Sequence, residues 1–169
     1  MKNNFKSAFI VFCIFASIYI GTLNVRVSTD TIIATLLPIG LIRGEGFDLN
    51  KIYPFAAEHL PSGNITNGVH YYVLKENNHL ISTFPIFSSI LAAPIYLIPV
   101  IYKNISTSNM DENFILILTL GKISAGIFCA ISATFVFLSL KYLTKNTTGA
   151  LLLTFFYGLG TTTLSISSQ

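Results

Sequence analysis

The chain has 169 residues, 52% of them hydrophobic and only 10% charged, against roughly 25% charged in an ordinary soluble domain. So large an apolar excess argues against a soluble globule of this length, because a small domain must still present a polar surface. The net charge of +3 is scattered rather than gathered into a basic stripe, which argues against nucleic-acid binding. Cys13 and Cys129 both fall in apolar segments, too few for a disulfide framework and without metal-ligand spacing.

The first apolar segment, within residues 1–23, follows Lys2 and Lys6. It is long for a cleaved signal peptide and ends in Ile18-Tyr19-Ile20-Gly21, which offers no clean small-x-small cleavage site. It is expected to be an uncleaved transmembrane anchor with a cytoplasmic N-terminus, because the basic flank stays inside. Residues 24–83 then form a polar external loop. Within it, 31–43 reads as a short, strongly apolar helix, with Ser28, Thr29 and Asp30 as N-cap types before it and Gly44 and Gly46 ending it. A short apolar helix of this kind lies on or dips into the membrane interface. Pro61-Ser62-Gly63-Asn64 reads as a turn, and residues 70–74 and 79–82 as the arms of a β-hairpin.

The second apolar segment, 84–102, contains Pro85, Pro94 and Pro99, which remove helical hydrogen bonds and kink the axis. The third, 114–143, carries Lys122, and the fourth is 149–167. If all four cross the bilayer, the Lys141–Lys145 connection is external, against the positive-inside tendency. If 84–102 is interfacial or re-entrant, that connection becomes cytoplasmic, and this arrangement is preferred. The expected fold class is all-α: a multi-pass set of membrane helices, with a long external loop bearing short juxtamembrane helices, in the plasma (inner) membrane.

Three patches are more specific. They are Ser28-Thr29-Asp30 running to Gly44-Glu45-Gly46-Phe47-Asp48-Leu49; Leu80-Ile81-Ser82-Thr83-Phe84-Pro85 running to Pro94-Ile95-Tyr96; and Leu120-Gly121-Lys122-Ile123-Ser124 followed by Tyr157-Gly158-Leu159-Gly160-Thr161. In this order they resemble the start of the GT-C superfamily of multi-spanning glycosyltransferases, nearest the protein-mannosyltransferase-like and aminoarabinose-transferase-like enzymes. The resemblance covers essentially the whole chain through the order and spacing of individually weak motifs. It implies sugar transfer from a polyprenyl-phosphate donor at the non-cytoplasmic face, with an acidic residue of the first external loop in the active site. It also implies that the chain is the N-terminal portion of such an enzyme. The rest would come from missing C-terminal helices or a partner membrane protein, with membrane lipid around it.

Asp30 is then the expected catalytic residue. A partly buried carboxylate near the bilayer surface would accept the proton of an acceptor hydroxyl or hold a divalent cation against the donor phosphate. It would equally serve as a helix N-cap. Arg26, Asp48 and Lys122 are the expected substrate-binding residues. Arg26 would pair a phosphate or snorkel at the interface, Asp48 would add a second carboxylate or be a solvated loop residue, and Lys122 would contact a phosphate or snorkel. Arg43 suits a phosphate or the negative end of the short helix. Family members often place an arginine in the helix after the loop aspartate; here Ala34-Thr35-Leu36-Leu37 stands there. His59, His70 and His79 have no ligand-like spacing and read as loop residues. The alternative reading is a small non-enzymatic membrane subunit or assembly factor.

Overall fold

The computed structural model describes residues 2–22, 31–59, 65–66 and 69–160. Among these the chain is mostly helical. In chain order the elements are α1 (Lys2–Gly21), α2 (Ile32–Ile42), α3 (Tyr53–His59), β1 (Ile65–Thr66), β2 (Val69–His70), β3 (Val73–Glu76), β4 (His79–Ser82), α4 (Phe87–Tyr102), α5 (Phe114–Thr144) and α6 (Thr147–Gly160). Among the described residues one helix, α5, is long and apolar enough to cross a membrane. Its 31 residues extend roughly 46 Å at 1.5 Å per residue, past a hydrocarbon core of about 30 Å. The 16 residues of α4 extend only about 24 Å. The turn expected at 61–64 lies outside the described residues.

The chain divides into two compact units, one of residues 1–25 with 122–169 and one of residues 26–121. In the first, α5 and α6 are joined by Lys145 and Asn146. Lys145 takes a left-handed backbone, φ 52°, and Asn146 Oδ1 accepts the N–H groups of Thr148 and Gly149 at 3.0 and 3.2 Å. That is an N-cap satisfying two orphan donors of α6. So short a connection makes α5 and α6 antiparallel. α1 runs alongside α6 in the same direction, with Phe15 against Phe155 (ring centroids 5.3 Å apart) and the Tyr19 hydroxyl donating to the Gly158 carbonyl at 3.0 Å. Val11, Phe15, Tyr19, Ala130, Ala133, Phe137 and Ala150 form the buried cluster. Ala130, Ala133 and Ala150 are buried beside Phe15, Tyr19 and Phe137, while Phe5, Phe9, Ile10, Phe135, Leu152 and Phe156 stay exposed.

In the second unit, α2 and α4 pack side by side and run parallel. Both end in the same device. After α2, Glu45 N–H bonds Gly40 O (2.9 Å) and Gly44 N–H bonds Leu41 O (3.2 Å), with Gly44 at φ 77°. After α4, Ile105 N–H bonds Val100 O (2.9 Å) and Asn104 N–H bonds Ile101 O (3.2 Å), with Asn104 at φ 49°. These are Schellman caps with glycine and asparagine at the left-handed position. The first turns of α5, Phe114–Gly121, lie antiparallel to this pair. Phe114 meets Phe55 and His59 of α3, while Tyr96 Oη donates to Ile117 O at 3.4 Å. A Cβ on Gly121 would sit 2.8 Å from Thr35. The outer face of α4 exposes Phe87, Ile90, Leu91, Leu97, Ile98 and Ile101, an apolar stripe at helical spacing.

Two antiparallel hairpins complete this unit. β3 pairs with β4 from Val73↔Ser82 to Glu76↔His79. The two-residue turn, Asn77 (φ 46°) and Asn78 (φ 68°), has the positive angles of a type I′ turn, which matches strand twist. This turn pulls Lys75 and Glu76 into the strand, where the sequence reading placed them in the turn. His70 lies instead in β2, paired with Ile65 of β1.

Candidate functional site

Asp30 and Arg26 lie outside the described residues. The N-cap position of α2 falls on Thr31, whose carbonyl accepts the Thr35 N–H at 3.0 Å, one residue beyond the aspartate considered for that role.

Asp48 sits in the turn after α2. Its Oδ1 accepts the Asn50 backbone N–H at 2.9 Å, a local Asx turn. Its Oδ2 meets His79 Nδ1 at 2.7 Å and Asn50 Nδ2 at 3.3 Å. A carboxylate only accepts, so Nδ1 carries the proton. The His79 hydrogen bond, then the Asn50 N–H, hold the Asp48 carboxyl below its ordinary value. Both oxygens are therefore engaged within the loop, tying the β3–β4 turn to the segment after α2; Asn50 Nδ2 also donates to Asn78 O at 3.1 Å.

Arg43 closes the C-terminal end of the α2–α4 pair. Its Nε donates to Ile105 O at 2.7 Å, and Nη2 donates to Val100 O at 3.2 Å and Asn104 Oδ1 at 2.9 Å. The guanidinium is a C-terminal clamp on α4, using its fork on carbonyls rather than presenting it to a phosphate. Glu45 pairs with Lys51 at 2.9 Å. None of the three histidines is in an irregular loop: His59 ends α3, His70 is in β2 and His79 opens β4. His59 Nε2 lies 3.4 Å from Asp111, and His70 Nδ1 lies 3.0 Å from Tyr53 Oη. Tyr72 stacks on His70, with ring centroids 5.0 Å apart, and burial pushes its phenol up to about 12. An open groove of about 470 Å³ runs along the hairpin, lined by Asn50, Tyr53, Val69, Lys75, Asn78 and Leu80.

Lys122 stands apart. The residue is 3% exposed, and its Nζ is sealed from solvent with no hydrogen-bond partner. Snorkelling is therefore not what this side chain does. Among the described residues no group of three histidines, cysteines or carboxylates converges in a way that would hold a metal ion. The structure thus uses Asp48 and Arg43 locally and leaves Lys122 as the buried cation without a described partner. Sequence reasoning missed the Asp48–His79 link, though Asp48-Leu49-Asn50 carries the signal of an Asx turn. No family model, curated protein or solved structure matches the chain.

Proposed function

We propose that the chain is the N-terminal part of a multi-pass membrane glycosyltransferase that transfers a sugar from a polyprenyl-phosphate donor at the non-cytoplasmic face. In this reading α1, α5 and α6 cross the bilayer of the plasma (inner) membrane, α4 lies in the interface, and further helices come from additional chain or a partner. The observation that carries it is the α2–α4 pair. These are two short apolar helices held side by side, with an apolar outer stripe on α4 and a polar, hairpin-bearing loop at their C-terminal ends. Such a pair suits the boundary between headgroups and acyl chains, where a lipid-linked donor presents its phosphate. Asp30, next to the start of α2, is the proposed base that takes the acceptor's proton. A divalent cation at the donor phosphate belongs to the same proposal.

The test is sugar transfer in membranes from cells expressing the chain with its natural surroundings. Asp30→Asn is expected to lower transfer roughly 10²-fold or more, while Asp48→Asn leaves it within a few-fold. Full activity in Asp30→Asn would sink the reading. Topology is checked with single cysteines at Asn67 and Thr144 in a background without Cys13 and Cys129. Labelling by a membrane-impermeant thiol reagent at 67 and not at 144 is the expected pattern. One observation favours the non-enzymatic subunit instead: Arg43, Glu45 and Asp48 all hold the loop together. Unchanged transfer in both aspartate variants would favour that alternative.

A further inference from the structure

The chain has seven acidic residues, Asp30, Glu45, Asp48, Glu58, Glu76, Asp111 and Glu112, and every one falls between residues 26 and 121. α1, α6 and the stretch of α5 from Lys122 onward contain none. The unit that includes Lys122 therefore offers no internal carboxylate. Among the described residues, the ion pairs are Lys51 with Glu45, His59 with Asp111 and His79 with Asp48. None involves Lys122. An ammonium removed from water with neither a counter-ion nor an acceptor is strongly disfavoured, and an ionisable residue persisting in an apolar helix points to a ligand it serves.

We infer that Lys122 binds the phosphate of a membrane-borne lipid, its ammonium donating hydrogen bonds to the phosphate oxygens while the hydrocarbon tail remains in the bilayer. Three features select this ligand class. The group must be anionic, because the residue to be satisfied is a cation with three donors. It must be compact and rich in acceptors, which a phosphate is. It must also carry an apolar portion, because Lys122 lies eight residues into a helix that begins at Phe114, roughly 12 Å along its axis, with apolar residues on both sides in sequence. A polyprenyl phosphate meets all three conditions. The choice of that lipid over other phosphate lipids rests on the sugar-transfer reading; the phosphate contact does not.

The experiment is native mass spectrometry of the full chain released from membranes, titrated with polyprenyl phosphate, the matching uncharged polyprenol, phosphatidylglycerol and inorganic phosphate. Wild type is expected to retain polyprenyl phosphate about tenfold better than polyprenol, as for a charge-assisted contact. Lys122→Met should erase that preference, and Lys122→Arg should keep most of it. Methionine fills the site without a buried charge, so Lys122→Met should also melt at a higher temperature than wild type in the lipid-free state. An undiminished phosphate preference in Lys122→Met overturns the inference. So does a lower lipid-free melting temperature, which would make the amine a structural element. Displacement of the lipid by inorganic phosphate overturns the membrane-borne source. Phosphatidylglycerol binding as well as polyprenyl phosphate supports the phosphate contact and counts against the sugar-donor reading. Wild type binding neither phosphate lipid removes both.

Discussion

The two units solve the same problem, burying backbone and side chains, with opposite chemistry. The α1–α5–α6 unit has no acidic residue, and its core sets alanine and glycine against Phe15, Tyr19 and Phe137. Its order rests on fit between surfaces. The unit of residues 26–121 holds the acidic residues, both hairpins, both Schellman caps and the described ion pairs. Its order rests largely on paired polar groups, with Glu45 Oε2 and the Tyr72 hydroxyl buried and unpaired. On the proposed membrane reading, this is the contrast that two solvents would produce. In lipid, apolar burial gives helices little reason to associate, so close packing of small residues must hold them. Near water, backbone ends and charges can be satisfied and used as fasteners.

The largest expected effect falls on packing. A Cβ on Gly158 would lie 2.2 Å from Phe15 Cε1 and 2.8 Å from Tyr19 Oη. Both obstacles belong to fully buried rings, so neither can swing aside. Gly158→Ala should destabilise the unit by about 1–3 kcal/mol, despite alanine's better helix propensity. Gly160→Ala, which meets nothing within 4 Å, is the matched control and should change stability by no more than a few tenths of a kcal/mol. Unfolding in mixed micelles, followed by circular dichroism, measures both. Equal stabilities would mean that α6 is not seated on α1 as described, and the packing half of the comparison would fall.

The next effect tests the polar half. Pro38 lies inside α2 and has no N–H to give the carbonyl four residues back. That carbonyl belongs to Ala34, and it accepts Ser89 Oγ of α4 at 3.1 Å instead. Ser89 is 1% exposed, so no water replaces it. Ser89→Ala should cost about 1–3 kcal/mol by leaving a buried acceptor unmet. In a Pro38→Ala background the helix regains its own donor, and the same serine substitution should cost about 1 kcal/mol less. A double-mutant cycle reads this directly. Strict additivity would show that the hydroxyl does not stand in for the missing N–H.

What sequence reveals divides along the same line. Apolar runs placed helices at 31–43 and within 84–102, and α2 and α4 lie there at Ile32–Ile42 and Phe87–Tyr102. Gly44 was readable as a helix stop because only its left-handed backbone completes the cap. Gly121 and Gly126 are small residues that permit close helix packing. In the structure each is already filled within the chain, Gly121 against Thr35 and Tyr96, Gly126 against Ile20. The partners that satisfy polar groups were not readable. Ser89 answers a proline 51 positions away in sequence (89 − 38), and Arg43 answers carbonyls at 100 and 105. Such pairings follow from the parallel course of α2 and α4, which no local pattern encodes. The Asp48 link of His79, read only as a loop or hairpin-arm residue, was hidden for the same reason: the two are 31 positions apart.

The smallest effect concerns that last pair. The hydrogen bonds from His79 and the Asn50 N–H lower the Asp48 pKa from its ordinary 3.8. A carboxyl lowered on folding contributes stability that is fully present above its unfolded value and disappears as pH falls through the folded one. The contribution should therefore be intact at neutral pH and lost only below 3.8. The group is solvent-accessible, so screening keeps its contribution small. Protonation also weakens the acceptor for the Asn50 N–H, which makes the Asn50 amide resonance the direct reporter. Its titration midpoint should lie below 3.8, and Asp48→Asn should abolish the step. The same variant should bring the hairpin's neutral-pH stability closer to its acid value. A midpoint at or above the ordinary value would mean that His79 does not hold the carboxylate, and that the hairpin is tied to the turn after α2 by Asn50 and the Leu49–Leu80 backbone bond alone.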